Sequence, residues 1–213
     1  MKAILIYSGG MDSTTLLYEL KDSIGLAVTF TYGARQDEMQ TKCAEENCRA
    51  LGIKHLILPL DFIGKYFKSS ILKGGEDVPE GRYDADNMKS TVVPFRNGIM
   101  LAIAVGLAES HGLDAVLIAN HAGDHTIYPD CRPEFINSMS KAAVEGTFAG
   151  IKILSPYCKI TKREIAMIGK TLGIDYSKTY SCYKGGERHC GVCGTCVERK
   201  EALEGFDTTD YEK

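Results

Sequence analysis

Apolar residues along this chain fall into short continuous runs separated by longer stretches where they recur every three or four positions. The runs cover residues 3–7, 25–32, 55–60, 114–119 and 151–154. Their β-branched and aromatic content predicts five strands. Helical spacing predicts a helix after each run. One enters at Leu16-Leu17-Tyr18-Glu19-Leu20, and others cover residues 35–51, 94–111, 133–147, 161–172 and 197–204. Gly52 stops the second of these. Thr161-Lys162-Arg163-Glu164 reads as a capping box. The helix at 94–111 is apolar almost all round between residues 99 and 108, so it is buried on several sides, in the core or at a subunit contact. Strands alternating with helices predict an α/β fold with a doubly wound parallel five-stranded sheet. Residues 68–91 show no period and hold several Gly, Pro and Asp residues. That length predicts a lid, partly mobile without ligand, or failing that a disordered segment.

The first strand runs directly into Ser8-Gly9-Gly10-Met11-Asp12-Ser13-Thr14-Thr15 and then into a helix. Such a strand–turn–helix points backbone N–H groups and small hydroxyls at one spot, and the helix start adds partial positive charge. Pyrophosphate is the guest this suits. No lysine follows the glycines and no third glycine comes at the dinucleotide spacing, so this is neither a Walker A loop nor a dinucleotide fingerprint. Ser8, Ser13 and Thr14 offer hydroxyls. Asp12 would repel phosphate unless Mg²⁺ lay between them. In a doubly wound sheet the ligand sits beyond the carboxyl ends of the strands. That places Phe30 and Tyr32, at the end of the second strand, as candidates for adenine and ribose contacts.

Composition narrows the partners. The 213 residues allow one sizeable core with an appendage. A net charge of −3 gives no global basic field for nucleic acid. No apolar run approaches the ~20 residues that span a bilayer, and the chain starts without a signal-peptide pattern, so a cytoplasmic protein is expected. Four of the eight cysteines lie together as Cys182-x7-Cys190-x2-Cys193-x2-Cys196. Two successive Cys-x-x-Cys steps with intervening glycines let thiolates converge. A closed four-sulfur shell is the pattern of structural Zn²⁺, with an iron–sulfur cluster as the rival. His189 is a possible substitute ligand that four cysteines leave unneeded. The expected division is a nucleotide-binding domain, residues 1–175, and a zinc-binding helical segment, 176–213, pinned on it.

The Ser8-Gly9-Gly10-Met11-Asp12-Ser13 loop resembles that of the PP-loop ATP pyrophosphatases, which transfer AMP to a substrate oxygen. Thr91-Val92-Val93-Pro94-Phe95-Arg96-Asn97, Tyr128-Pro129-Asp130-Cys131-Arg132 and Ser181-Cys182-Tyr183 narrow the resemblance to the 7-cyano-7-deazaguanine synthase family, over nearly the whole chain. The resemblance implies an adenine nucleotide alpha hydrolase-like, Rossmann-like fold. It implies that 7-carboxy-7-deazaguanine and ammonia become the nitrile through an adenylated acid and an amide, with ATP and Mg²⁺ consumed or required. It assigns Ser8, Gly9, Gly10, Met11, Asp12, Ser13, Thr14 and Thr15 to the nucleotide, with Asp12, Ser13 and Arg96 catalytic. Arg96, Asn97, Asp124, Tyr128, Asp130 and Arg132 are assigned to the substrate, with Asp130 accepting from its guanine-like edge. Tyr183 is a stacking candidate, and Cys131 reads as a buried thiol. A homodimer is expected. One departure stands at Thr126-Ile127, where the family pattern has Ser-Gly. Ile in place of Gly adds bulk near the expected substrate, so an enzyme that stops at the amide or passes the activated base to another acceptor is an alternative, with His125 as a possible acid or base. A tRNA-thiolating relative and a non-catalytic nucleotide-binding module are the other readings.

Overall fold

The computed structural model describes residues 1–212. Five strands form one parallel sheet: β1 (Ala3–Ile6), β2 (Ile24–Thr31), β3 (His55–Pro59), β4 (Ala115–Leu117) and β5 (Lys152–Leu154), in the order β3-β2-β1-β4-β5. The helices are α1 (Met11–Glu19), α2 (Asp37–Leu51), α3 (Asp61–Tyr66), α4 (Arg96–Ser110), α5 (Pro133–Gly146), α6 (Lys162–Thr171) and α7 (Gly194–Ala202). Order reverses at β1, so β1 and β4 diverge around a switch point at their carboxyl ends.

Alternation along β1 shows why both faces are covered. Ala3, Leu5 and Tyr7 pack with Leu16 and Leu17 of α1, Ala44 and Cys48 of α2, and Ile165 of α6. Ile4 faces the other way, against Leu101, Ala104 and Ala108 of α4 and Ile136 of α5. Central strands buried on two faces read as continuous apolar runs, as β1, β2 and β4 do, while the edge strand β3 is only partly covered. α4 is buried along Met100, Leu101, Ala104, Val105 and Ala108, while Ile99, Ile103 and Leu107 are only partly covered. Gly52 caps α2 in the left-handed conformation, and Thr161 with Glu164 forms the capping box of α6. The short α3 carries no helical signal of its own and was not expected.

Residues 68–91 form a packed strap rather than a loose lid. Ile71, Leu72 and Met88 are buried in it, and it closes with a 3-10 turn at Asp86–Thr91. Arg35 secures its start by donating to the carbonyls of Ser70, Gly75 and Glu76. Its middle bridges Glu80 to Cys193. The C-terminal segment packs on the domain through Met11, Ala166, Tyr176, Ala202 and Leu203. No helix among the described residues is long and apolar enough to cross a membrane.

Candidate active site and metal centre

The loop after β1 is held by its own hydroxyls. Ser8 Oγ lies 3.1 Å from Ser13 Oγ and accepts from the Gly10 N–H at 3.2 Å. Gly9 has φ +79°, and a Cβ there would stand 2.2 Å from the Gln40 carbonyl oxygen, so only glycine fits. From the far side, the Tyr180 N–H donates to the Gly9 carbonyl at 3.1 Å. Ser8, Gly10, Met11, Asp12 and Ser13 line a cavity over the switch point. The loop's other hydroxyls turn away from it. Thr14 Oγ1 pairs with the Tyr7 hydroxyl behind the loop, and Thr15 Oγ1 bonds the Met11 carbonyl and the Tyr176 hydroxyl. Gly9 itself is covered by α2. Thr14, Thr15 and Gly9 therefore shape the loop instead of facing a ligand.

Phe30, Tyr32, Arg96, Asn97, Asp124, Tyr128, Cys131 and Tyr183 also line the cavity. Phe95 sets up Arg96. Its φ of +55° is the only left-handed backbone outside glycine among the described residues. Its ring lies over Gly98, where a Cβ would come within 2.3 Å, and meets Phe135 edge-on. This strained turn throws Arg96 inward at the start of α4. Arg96 donates to the Tyr32 hydroxyl at 3.0 Å and to Asn97 Oδ1, and among the described residues no carboxylate oxygen lies within ion-pair distance. Burial works against its charge, but Tyr32, Tyr183, Asp130 and Cys131 outweigh that and hold its pKa up.

Two residues assigned to the substrate are placed elsewhere. Asp130 Oδ2 accepts from the Asn97 N–H at 2.9 Å, so it caps α4 and is outside the cavity lining. A free helix N-terminal N–H next to it explains the choice. Arg132 is exposed and bonds the His125 carbonyl. Asp124 lines the cavity, but both oxygens are engaged: Oδ1 accepts from Tyr83 at 2.9 Å and Oδ2 from the His121 N–H at 2.9 Å. The Tyr128 hydroxyl pairs with Thr91 Oγ1 at 2.7 Å. Cys131 accepts a contact from Asn97 Nδ2, and burial pushes its thiol well above the ordinary range, as a buried thiol requires. Thr126 is exposed. Ile127 packs with Tyr83, Met88, Tyr128 and Cys131 outside the cavity lining, at an ordinary φ of −101° that needs no glycine.

The cation absent from the glycine turn comes from far along the chain. Lys162, the first residue of α6, places Nζ 3.1 Å from Asp12 Oδ2 and 2.8 Å from Glu198 Oε2. Burial alone would lower its pKa, but Asp12, Glu198 and Asp124 raise it above the ordinary lysine value. His121 completes the knot. Its Nδ1 accepts from the Gly123 N–H at 3.1 Å, and its Nε2 lies 3.3 Å from both Asp124 Oδ1 and Lys162 Nζ. Three carboxylates, Asp12, Asp124 and Glu198, surround the Lys162 ammonium. Asp12 Oδ1 is buried without a protein partner. An excess of negative charge and an orphaned carboxylate oxygen at a phosphate loop fit a divalent cation. Sequence reasoning missed Lys162, His121, Glu198 and Tyr83. The available signal was Lys162 directly after the cap of a helix that starts at the carboxyl edge of the sheet.

The four sulfurs of Cys182, Cys190, Cys193 and Cys196 all lie within 4.8 Å of one another. The Cys190–Cys196 and Cys182–Cys193 Sγ pairs are 4.0 Å apart. A tetrahedral ion with Zn–S bonds of about 2.3 Å separates its sulfurs by about 3.8 Å, so the shell fits one metal ion. A cubane would spread the same thiolates over different irons. His189 is no ligand: Nε2 accepts from the Ser181 N–H at 3.1 Å and its ring lies tilted against Tyr180, with centroids 4.6 Å apart.

Residues 2–207 match the family described as queuosine biosynthesis protein QueC. The chain belongs to that QueC family. Relatives named 7-cyano-7-deazaguanine synthase are 59% identical in Porphyromonas gingivalis, over 99% of this chain and 97% of theirs. The one in Desulfotalea psychrophila is 52% identical over 98% of each, and the one in Methanoregula boonei 45% over 100% of each. Among solved structures, NMN synthetase from Francisella tularensis superposes with a TM-score of 0.52, covering 98% of this chain and 79% of that one at 13% identity. That likeness shows the fold. QueC membership makes the chain a synthase of the ATP-dependent ligase type.

Proposed function

We propose that this chain converts 7-carboxy-7-deazaguanine and ammonia into 7-cyano-7-deazaguanine, splitting two ATP into AMP and pyrophosphate. The observation that carries the reading is one cavity shared by the Ser8–Ser13 turn and an Arg96 side chain with no carboxylate partner. Arg96 holds the substrate carboxylate beside the nucleotide's α-phosphorus. A carboxylate oxygen attacks that phosphorus and pyrophosphate leaves. Ammonia then attacks the acyl carbon; AMP departs with the C–O bond, a proton is lost, and the amide remains. The amide oxygen attacks a second ATP. Loss of both N–H protons and of AMP leaves the nitrile. Ser8 and Ser13 hydroxyls, the loop N–H groups and Lys162 stabilise the leaving pyrophosphate.

Asp12, with its unpartnered Oδ1, would hold Mg²⁺, which when bound neutralises phosphate charge. Cys182, Cys190, Cys193 and Cys196 would hold Zn²⁺ in a structural role, making residues 176–213 an appendage that folds on the metal. Phe30 and Tyr32 would contact the nucleoside, with Asn97, Tyr128 and Tyr183 beside the acceptor base. A homodimer through the partly covered side of α4 accords with Phe95 being 57% exposed and Phe148 fully so. A basic RNA-binding face is not required. The altered Thr126-Ile127 pair keeps clear of the cavity, which supports the complete reaction over one stopping at the amide.

The test is incubation with ATP, Mg²⁺, ammonium and 7-carboxy-7-deazaguanine, with products identified by mass spectrometry. AMP and nitrile in a two-to-one ratio are expected. Accumulation of the amide as the final product would replace this reading with the shorter reaction. Absence of AMP would remove the adenylation step.

A further inference from the structure

Most polar groups around the cavity are already paired: Asp124 with Tyr83, Tyr128 with Thr91, Gln40 with the Tyr180 carbonyl. Gln36 is different. It is 2% exposed, it lines the cavity, and its Oε1 has no hydrogen-bond partner among the described residues. A buried amide oxygen without a partner is unfavourable unless a ligand supplies the donor. The position says which ligand. Gln36 follows β2 and caps α2, its carbonyl accepting from the Gln40 N–H at 2.9 Å. One helical turn on, about 5.4 Å away, Gln40 packs on the phosphate loop, with Nε2 3.8 Å from where a Gly10 Cβ would stand. Phe30 and Tyr32 share this side of the cavity, while Asn120, Asp124, Tyr128 and Cys131 line the side toward β4. In parallel nucleotide-binding sheets the nucleoside lies past the end of the second strand.

We propose that Gln36 reads the base of the nucleotide, its carboxamide accepting from the adenine 6-amino group and donating to the neighbouring ring nitrogen. A planar carboxamide sets one acceptor beside one donor, the complement of that adenine edge. The inference rests on the nucleotide reading above and adds its specificity determinant. Gln36 thereby favours ATP over purine nucleotides that lack the amino group.

The experiment measures binding by the metal-loaded protein, with Mg²⁺, of two probes: the α,β-methylene analogue of ATP and its counterpart without the 6-amino group. Wild type is expected to bind the ATP analogue about tenfold more tightly. In Gln36→Leu that preference should fall to about twofold or less, chiefly through weaker binding of the amino-bearing probe. Retained metal and an unchanged circular dichroism spectrum show the variant folded, and the wild-type preference tests the idea even if it does not fold. Equal binding of the two probes by wild type overturns the proposal. So does an undiminished preference in Gln36→Leu, or a rise confined to the KM for 7-carboxy-7-deazaguanine. If wild type binds neither probe, the nucleotide reading itself fails, which is a separate result.

Discussion

Lys162 is the residue on which the proposed phosphate chemistry converges. Its ammonium faces Asp12 and Glu198, and those carboxylates outweigh burial in fixing its charge. A raised folded-state pKa means its stabilising contribution is complete below the unfolded value near 10.4 and lost only as pH rises past the folded one. Lys162→Met should therefore cut kcat/KM by about 10²-fold or more, the cost of one lost oxyanion-type donor. The loss should be the same at pH 7 and pH 9, read from steady-state pyrophosphate release. A loss that vanishes at pH 9 would show that the wild-type lysine deprotonates below it. Gly9 is the other decisive single position. Gly9→Ala forces a Cβ to 2.2 Å from the Gln40 carbonyl at a left-handed φ. It should lower unfolding free energy by about 1–3 kcal/mol and displace the loop, so that denaturant titration and ATP-analogue binding both fall. Intact binding would mean that α2 yields more easily than the packing of its Ala44 against Leu5 and Tyr7 implies.

At the scale of elements, α4 joins the proposed substrate contact to stability. Its first turn carries Arg96, its strained Phe95 aims that side chain, and Asp130 caps it through the Asn97 N–H. Asp130→Ala removes the cap and leaves a buried donor unpaired, at about 1 kcal/mol. The expected signature is a lower Tm with a raised KM for the deazaguanine acid and little change in KM for ATP. A raised KM for the deazaguanine acid with an unchanged Tm would return Asp130 to direct substrate contact. The strap at 68–91 is an element that periodicity could not reveal. Its order comes from single anchors: Arg35 on three carbonyls, Tyr83 on Asp124, Glu80 beside Cys193. Each partner is remote in sequence, so no local pattern records it.

Across the whole molecule, the metal centre and the phosphate loop are mechanically one unit. Arg199 of α7 is fully buried and donates to Ser181 Oγ, Thr209 Oγ1 and the Tyr176 carbonyl. Tyr180 holds Gly9, and Glu198 holds Lys162. Removing the metal with a chelator should leave four buried thiols without their ion and expose this segment to protease. It should also weaken ATP-analogue binding by about tenfold or more, because the loop loses the Tyr180 and Glu198 contacts. Metal analysis should find one zinc per chain. Unchanged binding by fully demetallated protein would separate the two units.

The sequence by itself determined the strand–helix alternation, the phosphate turn, the four-thiolate shell and the family. Each is written in local spacing: a two-face-buried strand is an apolar run, a phosphate turn needs adjacent glycines and hydroxyls, and a metal knuckle needs cysteines two residues apart. Only the tertiary structure decided which of the loop's hydroxyls face the cavity, that Asp130 is a cap, and that Ile127 packs aside. It alone delivered Lys162, His121, Glu198, Gln36 and Tyr83 to one place. Those assignments depend on side-chain direction and on contacts between residues as far apart as Asp12 and Glu198. Long-range packing fixes these, and periodicity does not encode them. The glycine turn is thus legible as a motif, while the cation beside it is supplied by the fold.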